Sequence, residues 1–221
     1  MSVTAVIAAG GVGARFGGGA PKQFLELLGV PVLRRTLDAF MSVSEISEII
    51  CAVPEGYEGF NAPNVKVIRG GVNRARTVHT ALKHANCETV LVHDGARPLV
   101  TGELIQRVLN AARERGAAVA GLPETETVKK VDSNGKVIET LDREFIWRAQ
   151  TPQGFSFPLL KRAYELAEER GILDEATDDA YLIEKLGLAE VYMVLGEPEN
   201  IKITARKDFE YAEYILRKRE G

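Results

Sequence analysis

The segment from position 3 to position 22 joins a short apolar run to a glycine-rich stretch, and this pairing most limits the folds open to the chain. Val3–Ala8 has the length and composition of one buried strand. Six glycines then fall within ten residues, at positions 10, 11, 13, 17, 18 and 19. Because glycine lacks a Cβ, backbone N–H groups in such a loop can turn inward and approach a phosphate closely. The pattern predicts an anion-binding loop after a strand, with Arg15 and Lys22 as its cations.

Two common phosphate-binding loops fit this stretch poorly. The dinucleotide pattern G-x-G-x-x-G would start at Gly11 and Gly13, but Phe16 stands where the third glycine belongs. The Walker A pattern requires Gly-Lys-Ser/Thr, whereas Lys22 follows Pro21. The glycines alone would also suit a flexible surface loop without a ligand. The preceding apolar strand and the two cations favour the phosphate-binding interpretation.

The composition is that of an ordinary globular chain. Of the 221 residues, 45% are apolar and 27% are charged, with a net charge of −3. No overall charge favours nucleic acid or an anionic membrane, so an anion site must rest on local cations. Cys51 and Cys87 are expected to be reduced core residues. The N-terminus enters a strand directly, and no apolar run approaches the roughly 20 residues of a spanning helix, so we expect a cytoplasmic protein.

Apolar runs alternate with segments of helical period along most of the chain. The predicted strands are Val3–Ala8, Glu48–Val53, Val65–Arg69, Thr89–His93, Ala117–Leu122 and Glu190–Leu195. The predicted helices cover 32–41, 73–84, the stretch between Thr101 and Gly116, 157–170, 178–185 and 207–219. Apolar strands separated by helices predict an α/β fold, a Rossmann-like, mostly parallel sheet with helices on both faces. We expect positions 1–221 to form a single domain.

The alternation stops at Pro123 and gives way to a hairpin pattern. Residues 127–131 and 136–141 are β-prone and flank Asn134-Gly135, a strong signal for a tight hairpin turn. Both runs are rather polar, and a two-stranded ribbon is only marginally stable alone in water. The sequence therefore predicts a protruding β-hairpin arm at about 124–147 that packs on a second copy of the chain. A hairpin folded back on its own domain is the alternative.

Polar residues follow several of the predicted strands. In an open parallel sheet, ligands bind beyond the carboxyl ends of the strands, so we expect these residues to converge on one crevice. They form four groups: the glycine loop with Arg15 and Lys22; Gly70-Gly71 with Arg74, Arg76 and Thr77; Asp94 with Arg97; and Asn200, Lys202 and Thr204. Several cations and backbone donors around one carboxylate suit a polyphosphate.

Asp94 is the acid expected to hold a divalent cation there. Mg²⁺ binds through few protein carboxylates together with phosphate oxygens and water, so one acid among bases suits a Mg²⁺–nucleotide site. A role of Asp94 in a turn is the alternative. His93 is interpreted as a structural histidine, with a general base as the alternative. Because no Ser or Cys nucleophile and no zinc-binding pattern is recognisable, the sequence favours direct phosphoryl-type displacement over covalent catalysis.

Short motifs from Ala8 to Thr204 occur in the order of one known family. They are AAGGVGAR, FGGGAPKQF, GGVNRARTV, VHDGARP, TETVKK, DR-x3-W at Asp142–Trp147, TPQGF, ATDDA and NIKIT. The ordered set resembles the 2-C-methyl-D-erythritol 4-phosphate cytidylyltransferases. The resemblance implies transfer of CMP from CTP to the phosphate of methylerythritol phosphate, with release of pyrophosphate, in the non-mevalonate route to isoprenoids. It also implies Mg²⁺ as cofactor and a homodimer held by the arm.

The resemblance also implies roles for individual residues. It implies catalytic roles for Arg15, Lys22 and Lys202, and a metal-binding role for Asp94. The implied nucleotide-binding residues are Ala8, Ala9, Gly10, Gly13, Gly71, Arg74 and Thr77. The implied substrate-binding residues are Arg97, Thr177 and the arm residues Thr127 and Arg143, which reach the partner's pocket. The chain departs from the family pattern at three places: the glycine loop is one residue longer around Gly11-Val12, Val72 stands where some relatives have Asp, and Gly95 replaces a common Ala. The contact of that Asp is not carried over to Val72.

Three other functions are left open by the sequence. A ribitol-5-phosphate cytidylyltransferase is similar across most of these motifs, and Thr127 and Arg143 favour methylerythritol phosphate over ribitol phosphate. An NAD-dependent oxidoreductase is disfavoured by the missing third glycine and by the lack of a clear ribose-binding acid after the second strand, where Glu55 stands by chance. A non-enzymatic nucleotide sensor would not need three cations, Arg15, Lys22 and Lys202, aimed at one phosphate.

Overall fold

One seven-stranded sheet runs through the centre of the part of the protein that the structure describes. The computed structural model describes residues 2–11, 21–57 and 62–220. The strands are β1 (Val3–Ala8), β2 (Glu26–Leu27), β3 (Val30–Pro31), β4 (Glu48–Val53), β5 (Val65–Arg69), β6 (Thr89–Asp94), β7 (Ala117–Pro123), β8 (Lys129–Val131), β9 (Val137–Thr140), β10 (Trp147–Ser156) and β11 (Tyr192–Leu195). The helices are α1 (Val32–Met41), α2 (Arg74–Leu82), α3 (Gly102–Arg115), α4 (Phe157–Glu169), α5 (Asp179–Lys185) and α6 (Arg206–Glu220). Short 3-10 turns cover Lys22–Phe24, Arg143–Phe145 and Leu173–Glu175.

The strands of the central sheet are mostly parallel. Their order is β11-β7-β10-β6-β1-β4-β5, and the hairpins β2–β3 and β8–β9 form separate small sheets. β1 pairs in parallel with β4 and β6, β4 with β5, and β7 with β11, whereas β10 runs antiparallel to β6 and β7. The predicted α/β class is confirmed, and each predicted strand and helix is present within two residues of its predicted limits.

Strand β10 is the central element that the sequence patterns missed. Its sequence, WRAQTPQGFS, is partly polar and contains Pro152 and Gly154, which normally argue against a central strand. The pairing with β7 shifts register between Ala149 and Gln153, so Pro152 lies where the pairing is interrupted and its missing N–H is tolerated. A Cβ at Gly154 would stand 2.8 Å from the Cβ of Ala112 on α3, so glycine lets strand and helix pack this closely.

Helices cover both faces of the sheet because its parallel strands are apolar on both sides. Along β1, Val6 belongs to a core formed with α2, α4 and α5, whereas Ile7 belongs to a second core formed with α1 and α3. Successive side chains of a strand point to opposite faces, so one apolar run fills both cores. A third cluster packs α6 against Leu27 and Val32. The predicted placement of helices on both faces is confirmed.

The pairing register brings the ends of neighbouring strands level. Ala8, the last residue of β1, lies opposite Ala52 of β4 and Asp94 of β6. Because these strands are parallel, the segments that follow them leave the sheet at the same edge. The segment after β11 joins them there, since Ile203 N donates to Ala96 O at 2.8 Å. The fold therefore places the predicted crevice at this edge.

The predicted β-hairpin arm is present. β8 and β9 pair antiparallel on either side of the turn at Gly135, whose φ of 80° suits glycine. Large apolar side chains on the arm are exposed, by 53% at Val137, 60% at Ile138 and 76% at Phe145. Such exposed apolar side chains are typical of an interface. The packing of the arm on a second copy of the chain stays a prediction.

Two expectations from composition concern the cysteines and membrane spans. Cys51 is buried, Cys87 is partly buried, and both are free thiols, in agreement with the prediction. Across the described ranges, no helix combines the length and the apolar character that a membrane crossing requires.

Candidate active site

A cavity of about 640 Å³ opens at the sheet edge beyond β1 and β6. Five separate stretches of the chain contribute to its walls. The lining residues are Ala8, Ala9, Gly10, Gly11, Lys22, Gln23, Gly71, Val72, Asn73, Arg74, Thr77, Asp94, Ala96, Lys202 and Thr204. The volume lies in the range of small-molecule sites. Lys22, Asp94 and Lys202, on which the polyphosphate prediction depends, thus share one cavity.

A buried carboxamide holds the entry to the glycine-rich loop. Gln23 Nε2 donates to Ala9 O and to Gly11 O, both at 2.7 Å, and the residue is only 3% exposed. Gln23 follows Lys22 in the 3-10 turn, so the same two bonds position Lys22 at the cavity wall. The end of β1 and the lysine are therefore fixed relative to each other.

A hydroxyl group holds the second loop of the cavity, residues 70–73. Thr77 Oγ1 accepts from Gly71 N at 3.1 Å and donates to Asn73 O at 2.7 Å. Asn73 caps α2, with Oδ1 accepting from Arg76 N at 2.9 Å. A Cβ on Gly71 would lie 2.7 Å from the backbone of Arg76, so this turn requires glycine. The loop is fixed to the first turn of α2, and Val72 between its anchors is 91% exposed.

One carboxylate in the cavity wall gathers three cations. Asp94 Oδ1 accepts from Arg74 Nε at 2.8 Å, while Oδ2 lies 2.8 Å from Lys202 Nζ and 3.5 Å from Arg97 Nε. Burial by itself would raise the pKa of Asp94, but the charges of the three cations outweigh it and hold this pKa well below its usual range. Asp94 is therefore an anion at neutral pH.

A chain of hydrogen bonds behind Asp94 fixes its backbone. His93 is fully buried, and burial lowers the pKa of its imidazole to about 3, so the ring is neutral. Nε2 lies 3.2 Å from Arg97 O, a carbonyl that only accepts, so this nitrogen carries the proton. Nδ1 then accepts from Thr151 Oγ1 at 3.0 Å, and Thr151 Oγ1 accepts from Asp94 N at 3.1 Å. The geometry favours the structural interpretation of His93 over a general base.

Arg74 joins the cavity to a buried polar network. Its Nη2 donates to Asp179 Oδ2 at 2.7 Å. Asp179 is fully buried, and its Oδ1 accepts from the Tyr164 hydroxyl at 2.6 Å. Burial by itself would lower the pKa of Arg74, but the charges of Asp179 and Asp94 outweigh it and raise this pKa well above its usual value. Because both oxygens of Asp179 have partners, the guanidinium of Arg74 is held in one orientation.

A second cavity of about 240 Å³ adjoins the first and shares Arg74, Asp94 and Lys202 with it. Its other lining residues are Arg97, Ala149, Gln150, Thr151, Gln153, Thr177 and Asp178. Arg97 Nη1 donates to Asn200 O at 2.7 Å, whereas its buried Nε has no hydrogen-bond partner in the described part of the chain. The shared wall allows two ligands, one in each cavity, to meet.

The structure brings most of the predicted site residues together. Ala8, Ala9, Gly10, Lys22, Gly71, Arg74, Thr77, Asp94 and Lys202 line the first cavity, and Arg97 and Thr177 line the second. Gly13 and Arg15 lie outside the described residues. Thr127 and Arg143 lie on the arm, where both are exposed and Arg143 Nη1 donates to Thr125 O at 2.8 Å.

The expectation that Arg76 joins the crevice is wrong. Its guanidinium pairs with Asp174 at 2.8 Å on the surface. Residues two positions apart on a helix point about 200° apart, so Arg74 and Arg76 leave α2 on different sides.

Three residues that position the site were missed by sequence reasoning: Gln23, Thr151 and Asp179. Each stands inside a motif, but each acts through a partner far along the chain, as in the bond from Gln23 to Ala9 O. In the sequence, these residues could be noticed only as polar residues close to a predicted site residue, such as Gln23 next to Lys22. That position does not show which distant residue the side chain would bond.

The donor set fits a divalent cation together with phosphate oxygens. Within the described ranges, no group of three or more His, Cys, Asp or Glu side chains is placed to hold a metal ion. Asp94 offers one carboxylate, and each of its oxygens faces a cation. Mg²⁺ prefers one or two carboxylates with phosphate oxygens and water, so it fits here once a polyphosphate competes for Lys202.

Known proteins resemble this chain in sequence and in fold over nearly its whole length. A family model described as 2-C-methyl-D-erythritol 4-phosphate cytidylyltransferase matches residues 3–218. The chain is 42% identical, over 241 residues and 100% of both chains, to the protein of that name from Acidobacterium capsulatum. It is 42% identical to that from Bacillus cytotoxicus, over 96% of this chain and 97% of the relative. A crystal structure of the protein of that name from Thermus thermophilus matches with a TM-score of 0.84 at 37% identity, covering 98% of this chain and 100% of the other.

Proposed function

Since the chain belongs to the 2-C-methyl-D-erythritol 4-phosphate cytidylyltransferase family, we propose that it transfers CMP from CTP to 2-C-methyl-D-erythritol 4-phosphate and releases pyrophosphate. The observation that carries this function is the pair of adjacent cavities that share Arg74, Asp94 and Lys202. One substrate in each cavity meets the other at the shared wall. A transfer between two phosphorylated substrates needs this proximity.

CTP occupies the larger cavity in this proposal. The nucleoside lies along residues 8–10 and the loop 70–73, whose backbone Thr77 holds in place. The phosphates extend towards Lys22 and Lys202, which line the same cavity. Gly13 and Arg15 are proposed to complete the phosphate-binding loop.

The reaction is an in-line displacement at the α-phosphorus of CTP. A phosphate oxygen of methylerythritol phosphate forms a new P–O bond, and the bond from the α-phosphorus to the oxygen that bridges to the β-phosphate breaks. Pyrophosphate leaves with the electron pair of that bond. Negative charge increases on the non-bridging oxygens, and Arg15, Lys22 and Lys202 are the cations proposed to stabilise it. No covalent enzyme intermediate forms.

Mg²⁺ is the proposed cofactor, with Asp94 as its protein ligand. When bound, the ion would neutralise part of the triphosphate charge and orient the phosphate oxygens. The contribution of the chain is an ionised carboxylate in a set position, because Thr151 holds the Asp94 backbone N–H and Arg74 holds Oδ1.

The smaller cavity is the proposed site for the polyol phosphate. Arg97 offers a guanidinium and Thr177 a hydroxyl group at its wall. In a homodimer, Thr127 and Arg143 of each arm are proposed to complete this cavity in the other subunit. Exposed apolar side chains on the arm, such as Phe145, support this arrangement. Residues 1–221 are then one domain with a dimerisation arm at about 124–147.

Pyrophosphate release tests the function directly. The purified protein is supplied with CTP, Mg²⁺ and either methylerythritol phosphate or ribitol 5-phosphate. We expect release with methylerythritol phosphate, and release at least about tenfold slower with ribitol 5-phosphate, because the two polyols differ in carbon skeleton and hydroxyl pattern. Faster release with ribitol 5-phosphate would contradict the substrate. Binding of CTP without release from either would contradict the transfer and indicate a nucleotide sensor.

A thermal-shift measurement separates this function from that of an NAD-dependent oxidoreductase. A ligand that binds only the native state raises the melting temperature. CTP with Mg²⁺ is expected to raise it, and NAD is expected to leave it unchanged. The reverse pattern would overturn the nucleotide assignment.

A further inference from the structure

Two chain segments that line different cavities lie against each other. The loop 70–73 and the first turn of α2 line the nucleotide cavity, whereas Thr177, just before α5, lines the smaller one. In the interior, Arg74 joins the two segments through its bond to Asp179. A second set of contacts joins them at the surface.

The surface contacts meet at the carboxylate of Asp174. Its Oδ1 accepts from Asn73 Nδ2 at 2.7 Å and from Arg76 Nε at 2.9 Å, and its Oδ2 accepts from Arg76 Nη2 at 2.8 Å. The two bonds from Arg76 form a bidentate guanidinium–carboxylate pair, which fixes orientation as well as distance. The hydrogen bonds from Arg76 and Asn73 lower the pKa of Asp174, so the carboxylate is charged at neutral pH.

The donors of these bonds are tied to the nucleotide loop. The Asn73 side chain accepts from Arg76 N, and Asn73 O accepts from the Thr77 hydroxyl, which also holds Gly71 N. The loop and the first turn of α2 therefore form one hydrogen-bonded unit. A shift of the loop when nucleotide binds must displace Asn73 and Arg76 with it.

The acceptor is tied to the smaller cavity. Asp174 stands three positions before Thr177 and directly after Leu173, which is 1% exposed. On the other side of Thr177, Asp178 caps α5 at Tyr181 N and accepts from Gln153 Nε2 at 2.8 Å. The stretch 174–177 is thus held at both ends. It connects the bidentate pair to the wall of the polyol-phosphate cavity.

We propose that Asp174 is a positioning residue that couples the two cavities, so that nucleotide bound in the first raises the affinity of the second for methylerythritol phosphate. This inference rests on the proposed function. Asp174 acts on one cavity through Asn73 and Arg76 and on the other through Thr177. Coupling between binding sites is reciprocal, so the polyol phosphate raises the affinity for nucleotide by the same factor.

Calorimetric titration of the whole chain measures the coupling without turnover. An α,β-methylene analogue of CTP cannot release pyrophosphate, so methylerythritol phosphate is titrated with and without this analogue at constant Mg²⁺. The native protein is expected to bind methylerythritol phosphate at least about fivefold more tightly when the analogue is present. Asp174→Asn removes the charge and the bidentate geometry, and is expected to reduce this ratio to below about twofold while the affinity for the analogue alone changes little.

Two further variants sharpen the test. Glu175→Gln is the matched control, because it changes an exposed acid on the same turn. The Glu175 carboxylate lies 3.4 Å from the Tyr181 hydroxyl, whereas that of Asp174 contacts Arg76 on α2. Glu175→Gln is expected to keep the native ratio. Arg76→Gln is expected to reduce the affinity ratio as much as Asp174→Asn does. The double variant is expected to have the same ratio as either single variant, because all three remove the same ion pair.

The contrary outcomes are distinct. If Asp174→Asn lowers the melting temperature but keeps the native ratio, the pair only stabilises the fold and the inference is wrong. A ratio of one in the native protein would also overturn it. If the native protein binds neither the analogue nor methylerythritol phosphate, the proposed function itself fails.

Discussion

At the scale of single residues, the charges around Asp94 favour an anionic ligand in the proposed site. Arg74, Arg97 and Lys202 contact this carboxylate, and Asp179 is the second acid that pairs with Arg74. Three cations against two carboxylates leave the cluster positive. A positive cluster in a concave site concentrates anions. The local arrangement therefore suits the proposed binding of a polyphosphate by a chain whose net charge is −3.

Lys22 is the residue whose loss should affect chemistry most without affecting the fold. It lines the nucleotide cavity and is proposed to stabilise charge that appears during transfer. Lys22→Ala is expected to lower kcat by about 10²–10³-fold, the usual cost of removing one preorganised donor at such a charge. Pyrophosphate release and circular dichroism are the measurements. Lys83→Ala, an exposed lysine at the end of α2, is the control and should keep native turnover. Near-native turnover of Lys22→Ala would remove its assigned role.

Thr77 allows the hydroxyl group to be separated from the shape of the side chain. The residue is 2% exposed, and its hydroxyl holds both Gly71 and Asn73. Thr77→Val keeps the shape but loses these bonds, so the KM for CTP is expected to rise about tenfold, the cost of one or two unmade hydrogen bonds. Thr77→Ser keeps the hydroxyl and should stay within about threefold of the native KM. Steady-state kinetics with both variants check this, and equal KM values would show that the hydroxyl does not set the loop.

At the scale of elements, β10 is the strand that builds the back of the site. It inserts antiparallel between β6 and β7, and it carries Thr151 and Gln153 to the smaller cavity. Thr151 holds Asp94 N, and the Gln153 Oε1 accepts from Asp179 N at 3.1 Å. One irregular strand thus connects the metal-ligand candidate with the network behind Arg74.

The close packing of β10 on α3 predicts a stability effect at Gly154. A Cβ there would meet the Cβ of Ala112 at 2.8 Å, Leu91 Cδ2 at 3.0 Å and Val108 Cγ1 at 3.1 Å. Gly154→Ala is therefore expected to lower the free energy of unfolding by about 1–3 kcal/mol, the usual cost of overpacking. Urea denaturation measures it. Gly102→Ala, whose Cβ would first meet Ser42 Oγ at 3.5 Å, is the control and should change stability by no more than about 0.5 kcal/mol. Equal stability of both variants would show that β10 and α3 separate easily.

At the scale of the whole molecule, the arm is the element proposed to join two copies of the chain. Its apolar side chains at Ile138 and Phe145 are exposed, and so are Thr127 and Arg143, the two residues of the arm that are proposed to serve a site. In the proposed twofold dimer, each arm would lie on the other subunit through one self-complementary contact. In that arrangement each polyol-phosphate cavity needs residues from two chains.

Mixing two inactive variants tests this sharing of residues. Lys22→Ala is defective in its own cavity, and Arg143→Ala is expected to be defective in the cavity that its arm enters. After subunit exchange, half of the dimers are mixed and each has one intact site, so about a quarter of the native activity should return. In the control mixture, Lys22→Ala with Lys202→Ala, each defect lies in the cavity of the chain that carries it, so both sites of a mixed dimer are defective and the mixture should stay inactive. An inactive test mixture that contains mixed dimers would show that the arm serves its own chain.

Local patterns in the sequence were sufficient to predict the parallel strands of the central sheet, the helices and the hairpin of the arm. An apolar run such as Val3–Ala8 is buried on both faces wherever it pairs, and a 3.6-residue period specifies a helix face without reference to its neighbours. The ordered motifs also pointed to the residues of both cavities. The hairpin followed from Asn134-Gly135, whose turn geometry is a local property.

Only the tertiary structure determined that β10 is a central strand, where the Arg76 side chain points and which residues hold the site. Pro152 is tolerated because the pairing with β7 slips at that point, and neither strand shows this by itself. The residues that hold the site act through hydrogen bonds to distant partners. The partner is 14 positions away for Gln23, 57 for Thr151, 105 for Asp179 and 98 for Asp174. Local sequence determines backbone conformation because φ and ψ depend on near neighbours, whereas a buried polar side chain takes its role from whichever distant donor the completed fold places against it.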